Sequence, residues 1–138
     1  MVNDANEGRN KTDSEKLTVN LGFVDLGQID LLVNEGFYSN RSDLIRTAIR
    51  NQLAMHTDAI RQAAARKTLV LGLHEISRAD LEALRSAGKT MQIHVLGLAR
   101  IAQDVSPELA AATIESVRVL GALQASPAVR AALADRTR

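Results

Sequence analysis

Apolar positions along this chain follow one period after another. Residues 1–14, MVNDANEGRNKTDS, follow none; Asn, Asp and Gly dominate, and the stretch reads as a disordered arm. From Lys16 the order sharpens. Lys16-Leu17-Thr18-Val19-Asn20-Leu21 alternates polar with apolar and stops at Gly22. Period two predicts a short strand with Leu17, Val19 and Leu21 on one face and Lys16, Thr18 and Asn20 on the other. The period then lengthens to that of a helix. Leu26, Ile29, Leu32 and Val33 predict a helix over 25–34, closed by Glu35-Gly36, where glycine supplies a left-handed cap. A second helix follows with Leu44, Ile45, Ala48, Ile49 and Leu53 as its apolar stripe. Ser39 is its expected N-cap, with Asn40 the neighbouring candidate. No Gly or Pro interrupts residues 54–66, so this helix is expected to run on to about Arg66 as a stiff connector.

The C-terminal half repeats itself. Val70-Leu71-Gly72, Val95-Leu96-Gly97 and Val119-Leu120-Gly121 recur at spacings of 25 and 24 residues, each in a β-rich run. Each run precedes a helix start, at Ser77, Ser106-Pro107 and Ser126-Pro127. The pattern predicts three strand–helix units stacked on a shared apolar face. It leaves sheet edges at the first and third units, and the edge near Arg118 to Gln124 is the one expected to pair between subunits.

The expected fold class is therefore α+β. It comprises an arm (1–14), a strand–helix–helix module (15–53), a helical connector (54–66) and a C-terminal β/α repeat (67–138) for assembly or effector sensing.

Composition narrows the function. Among 138 residues there is no Cys, which removes disulfides, thiol catalysis and cysteine-ligated metals. Phe23, Phe37 and Tyr38 are the only aromatic rings of their kind, too few for a platform of stacked bases. The net charge is +1, and residues 16–53 are neutral, so anion binding must come from the placement of a few groups. No apolar run is long enough to span a membrane, and the polar N-terminus is no signal peptide, so a cytoplasmic, nucleoid-associated protein is expected.

A lone six-residue strand is not stable. Two helices follow it before any other strand, so its simplest partner is the same strand of a second copy, antiparallel about a two-fold axis. The apolar face would be covered by the helices, and the ribbon's polar face would fit the DNA major groove. Here the stretch KLTVNLGFVDLGQIDLLVNEGFYSNRSDLIRTAIRNQL resembles the ribbon-helix-helix family of DNA-binding proteins, the CopG, Arc and MetJ type. The resemblance rests on the alternating strand, the Glu35-Gly36-Phe37-Tyr38-Ser39 turn, Asn40-Arg41-Ser42-Asp43 and Ile45-Arg46-Thr47-Ala48-Ile49, and covers nothing beyond about residue 53. It implies an intertwined dimer whose core includes Leu17, Val19, Leu21, Ile45 and Ile49. It implies base contacts from Lys16, Thr18 and Asn20, and a phosphate held at the second helix by Ser39, Asn40 and Arg41. Free N–H groups and the helix dipole favour an anion there. Gly22 stands where many members have Pro.

Arg46 and Arg50 read as solvated helix-face residues or partners of Asp43. His56, His74 and His94 lack the spacing of a metal site, and His74 and His94 read as strand-surface residues. No activating motif joins Ser, His and acid, so no enzyme and no cofactor is expected. The favoured function is a homodimeric, sequence-specific transcriptional regulator, a repressor, that binds double-stranded DNA and forms higher oligomers through residues 67–138. Two alternatives share its DNA-binding module: an antitoxin whose C-terminal part wraps a toxin, and a structural protein that polymerises and uses DNA as an anchor.

Overall fold

The computed structural model describes residues 14–138; the expected arm, residues 1–14, falls outside it but for Ser14. The chain divides into two compact units, Met1–Ile60 and Arg61–Arg138.

In the first unit residues 14–22 form neither a helix nor a paired strand. The strand expected over 16–21 is therefore not formed in the single chain, where no described residue pairs with it. Helix α1 spans Phe23–Asn34. It starts two residues before the expected position because Gly22, in an extended conformation, presents its carbonyl to the Leu26 N–H at 3.0 Å. Its end is a Schellman turn. Gly36 adopts φ +85°, the Phe37 N–H reaches the Leu32 carbonyl at 3.0 Å, and the Gly36 N–H reaches that of Val33 at 3.1 Å.

Helix α2 spans Arg41–Met55, and its N-cap is Asn40, not Ser39. Asn40 is extended and lies three residues before Asp43, so its side-chain oxygen accepts the Asp43 N–H at 2.8 Å. The Asp43 carboxylate in turn accepts the Ser39 N–H at 3.0 Å. The helix does not continue unbroken to Arg66. His56 leaves helical geometry, the Thr57 hydroxyl donates to the Ala54 carbonyl at 2.8 Å, and helix α3 begins afresh over Thr57–Arg66. Its end is a second Schellman turn, with Thr68 at φ +53° in the glycine-like position.

In the second unit strands β1 (Val70–Ile76), β2 (Met91–Ile101) and β3 (Ile114–Gln124) alternate with helices α4 (Arg78–Ser86), α5 (Pro107–Thr113) and α6 (Pro127–Ala132). Ser77, Ser106 and Ser126 cap these helices, accepting the N–H groups of Asp80, Leu109 and Val129. The sheet is parallel throughout, in the order β1-β2-β3. The three Val-Leu-Gly triplets lie side by side: Val70, Val95 and Val119, then Leu71, Leu96 and Leu120, then Gly72, Gly97 and Gly121. All three glycines have positive φ, +117°, +140° and +121°. A Cβ on Gly97 would overlap the Gly72 carbonyl oxygen, and one on Gly121 would overlap that of Gly97. Only glycine lets the strands approach so closely at this row.

The core lies between the sheet and the helices. Ile93, Val95, Ala99 and Ile101 of β2 and Val117 of β3 pack with Leu81, Leu109, Val129 and Leu133, all buried. His74 shares this face: it is half-buried rather than a plain surface residue, and its Nδ1 is buried with no hydrogen-bond partner. The outer edge of β3 is partly closed by the chain itself. Thr137 bridges to Val117, the Arg138 N–H donates to the Val117 carbonyl at 2.9 Å, and Arg130 donates to the Leu123 carbonyl. The outer edge of β1 pairs with no described residue.

Candidate nucleic-acid interface

The expected DNA-facing and dimer-facing residues of 16–21 are all exposed in the single chain. Lys16, Thr18 and Asn20 lie in solvent, and so do Leu17 at 79%, Val19 at 72% and Leu21. Ile45 and Ile49 on α2 are exposed as well, and neither α1 nor α2 buries a single residue. Exposed Phe23, Val24, Leu31, Phe37 and Leu53 extend this apolar surface. Together these side chains exceed the scattered apolar exposure of an ordinary monomer.

At the start of α2 the three residues expected to hold phosphate have separate tasks. The Asn40 side chain is committed to the cap, and the Ser39 N–H to Asp43. Arg41 makes a two-point ion pair with Asp30 of α1, Nε to Oδ1 at 2.8 Å and Nη2 to Oδ2 at 2.9 Å. That pair holds the Asp30 carboxyl below the usual carboxylate range and raises the Arg41 guanidinium, chiefly through the hydrogen bond between them. The pair fastens α1 to α2 and spends much of the charge that would attract a phosphate. Of the first-turn N–H groups of α2, that of Asp43 is taken by the Asn40 cap, and those of Arg41 and Ser42 have no acceptor within the helix. Sequence reasoning missed Asp30: eleven residues separate it from Arg41, and only the turn between the helices brings them together.

Among the described residues no group of three His, Cys, Asp or Glu side chains is placed to hold a metal. His94 instead pairs with the Ser116 hydroxyl at 3.0 Å across the sheet. No helix among the described residues is long and apolar enough to cross a membrane.

Two short helices with no core of their own, preceded by an alternating segment without a strand partner, define the kind of module that is completed by another chain. The model of the ribbon-helix-helix transcriptional regulator family matches residues 12–130, and the chain belongs to that family. Its members are DNA-binding regulators, typically dimeric and non-enzymatic. The match runs far past residue 53, where the resemblance of the motifs ended, and takes in most of the C-terminal unit. No curated protein and no solved structure matches the chain.

Proposed function

We propose that this protein is a sequence-specific transcriptional repressor. Two copies intertwine, and residues 16–21 of each form a ribbon that enters the DNA major groove. The observation that carries this reading is the exposure of Leu17, Val19, Leu21, Ile45 and Ile49 in a module whose helices bury nothing. A second copy gives those side chains one shared core. Lys16, Thr18 and Asn20 then face outward, with chemistry suited to base edges. The N–H groups of Arg41 and Ser42 at the start of α2 receive a backbone phosphate, with Ser39, Asn40 and Arg41 shaping the site rather than each supplying a charge.

Neutral charge over residues 16–53 gives one dimer modest affinity. The C-terminal unit offsets this by joining copies, which raises avidity on neighbouring half-sites without stronger single contacts. Selection of bound sequences from random DNA, followed by footprinting, tests the reading. A recurrent two-fold-symmetric site supports it. Binding with no sequence preference refutes it.

A further inference from the structure

The two edges of the parallel sheet differ. That of β3 is partly taken: Thr137 bridges to Val117, the Arg138 N–H donates to the Val117 carbonyl, and Arg130 donates to the Leu123 carbonyl. That of β1 has no partner among the described residues, so the N–H and C=O groups on its outer side stand in a row with no strand to receive them. Exposure follows the same division. Val95 of β2 is fully buried, while Val70 beside it in register is 56% exposed, and Leu71 and Leu73 are 64% and 58% exposed. Helix α3, which leads into β1, therefore does not cover it.

β1 also lacks the devices that keep an edge strand single. Val70-Leu71-Gly72-Leu73-His74-Glu75-Ile76 holds no Pro and no Lys, and its one carboxylate, Glu75, is engaged by Arg100 within the sheet. Gly72 belongs to a row in which each later member lies against the backbone of the strand before it: Gly97 against Gly72, and Gly121 against Gly97. Gly72 has the same positive φ, and the space on its outer side is open. A strand glycine of this kind marks the close approach of another backbone.

We propose that β1 is a strand-pairing edge whose occupant is β1 of a second copy, antiparallel about a two-fold axis that passes through Gly72 normal to the sheet. Two three-stranded sheets then become one of six strands. Two observations select this occupant. A head-to-tail stack would need the β3 edge, which the chain's own end partly takes, so copies meet β1 to β1 and the assembly closes at two. The strand is also self-complementary about Gly72. Antiparallel pairing there sets Leu71 of each copy opposite Leu73 of the other on one face, and Val70 opposite His74 on the other, and residues 70–74 bring no acid, Lys or Arg across the joint. The two glycines meet where antiparallel backbones come closest, at about 4.5 Å between Cα atoms. The proposal rests on the reading that the C-terminal unit joins copies, and it places the joint at the β1 edge rather than at that of β3.

The test uses the full chain carrying Val19→Glu, which removes the ribbon contact, with mass followed by light scattering. A dimer held by β1 is expected. Adding Leu71→Lys with Leu73→Lys sets like charges directly opposite each other twice and is expected to weaken that dimer about tenfold or more. Adding Leu71→Lys with Leu73→Glu sets lysine opposite glutamate twice and is expected to keep it. Both positions are largely exposed in the single chain, and circular dichroism shows that each C-terminal unit is folded. A monomeric Val19→Glu chain overturns the proposal together with the reading on which it rests. A Val19→Glu dimer that the two charged pairs weaken equally, or not at all, overturns the β1 joint alone. So does slow hydrogen exchange along β1 that is independent of concentration, since another segment of the same chain would then take the edge. The chain with both lysines but native Val19 is expected to stay dimeric through its ribbon. If it is monomeric while Val19→Glu is dimeric, the ribbon reading fails and the β1 joint stands.

Discussion

The helices of the N-terminal unit bury no residue, whereas the C-terminal unit closes a core of thirteen buried side chains. The difference is not one of apolar content, since Leu, Ile and Val are plentiful in both. It is one of geometry. Two short helices meeting at a turn offer each other a single line of contact, and each keeps most of its apolar stripe in water. A parallel sheet under a layer of helices encloses volume, so Val95, Val117 and Leu81 are surrounded on all sides. The first arrangement leaves apolar side chains uncovered, which the proposed dimer would bury. The second makes a body that stands alone and has only its surplus surface left to share.

The sharpest way to break this contrast is Val19→Glu. In the proposed ribbon the carboxylate would be buried without a partner. The N-terminal unit is expected to unfold and DNA binding to disappear, while the C-terminal core melts at its former temperature. Circular dichroism and mobility-shift assays read the two effects separately, and a DNA-competent monomer would refute the intertwined dimer.

In the C-terminal unit the contrast is sharpened by comparing glycines. Gly72 and Gly97 both have positive φ, so alanine at either brings backbone strain of about 1–3 kcal/mol. Only at Gly97 does the new Cβ also meet backbone, whereas nothing lies within 4 Å of it at Gly72. Gly97→Ala is expected to disrupt the sheet, and Gly72→Ala to lower the stability of the single chain by the strain alone. Equal losses in denaturant melts would show that close packing is not what requires the interior glycine.

A smaller effect is expected at the polar face of residues 16–21. Thr18→Ala and Asn20→Ala should leave the dimer folded and each weaken specific binding by about 1–3 kcal/mol. Parallel titrations on specific and random DNA check this, since equal losses on both would show that the residues read no bases.

The smallest effect belongs to Asp30. Its carboxyl is held below the ordinary value of 3.8 by the Arg41 hydrogen bond, so the stabilisation is fully present above that value and is lost as pH falls through the lowered one. Both side chains are exposed, at 56% for Arg41 and 43% for Asp30, and solvent screens such a pair. Asp30→Asn should lower the stability of the dimer slightly at neutral pH and converge with the native chain in acid. Melts across that range check it, and a difference that grows in acid would contradict the assignment.

Much of this architecture was legible where local chemistry decides the outcome. Gly36 closes α1 as its position suggested, and the three Val-Leu-Gly triplets stand in register because each occupies the same place in its own strand. What escaped depended on neighbours in space or on competition between near-equals. Ser39 and Asn40 are both good caps, and Asn40 prevails because its amide reaches Asp43. The break at His56 carries no Gly or Pro to announce it. At the expected site, the placement of Ser39 to Arg41 at the start of the second helix followed from the sequence. The division of labour among Ser39, Asn40 and Arg41 did not, because Asp30 and Asp43 engage them from other positions.

The row of glycines gives the stack a direction. Each interior glycine seats against the carbonyl of the strand before it, and Gly72 presents the same vacant seat at the outer side of the first strand. Thr137 and Arg138 close part of the opposite side. A further strand could therefore add beside β1, whose outer edge pairs with no described residue, and not beside β3, where Thr137 and Arg138 already take part of the edge.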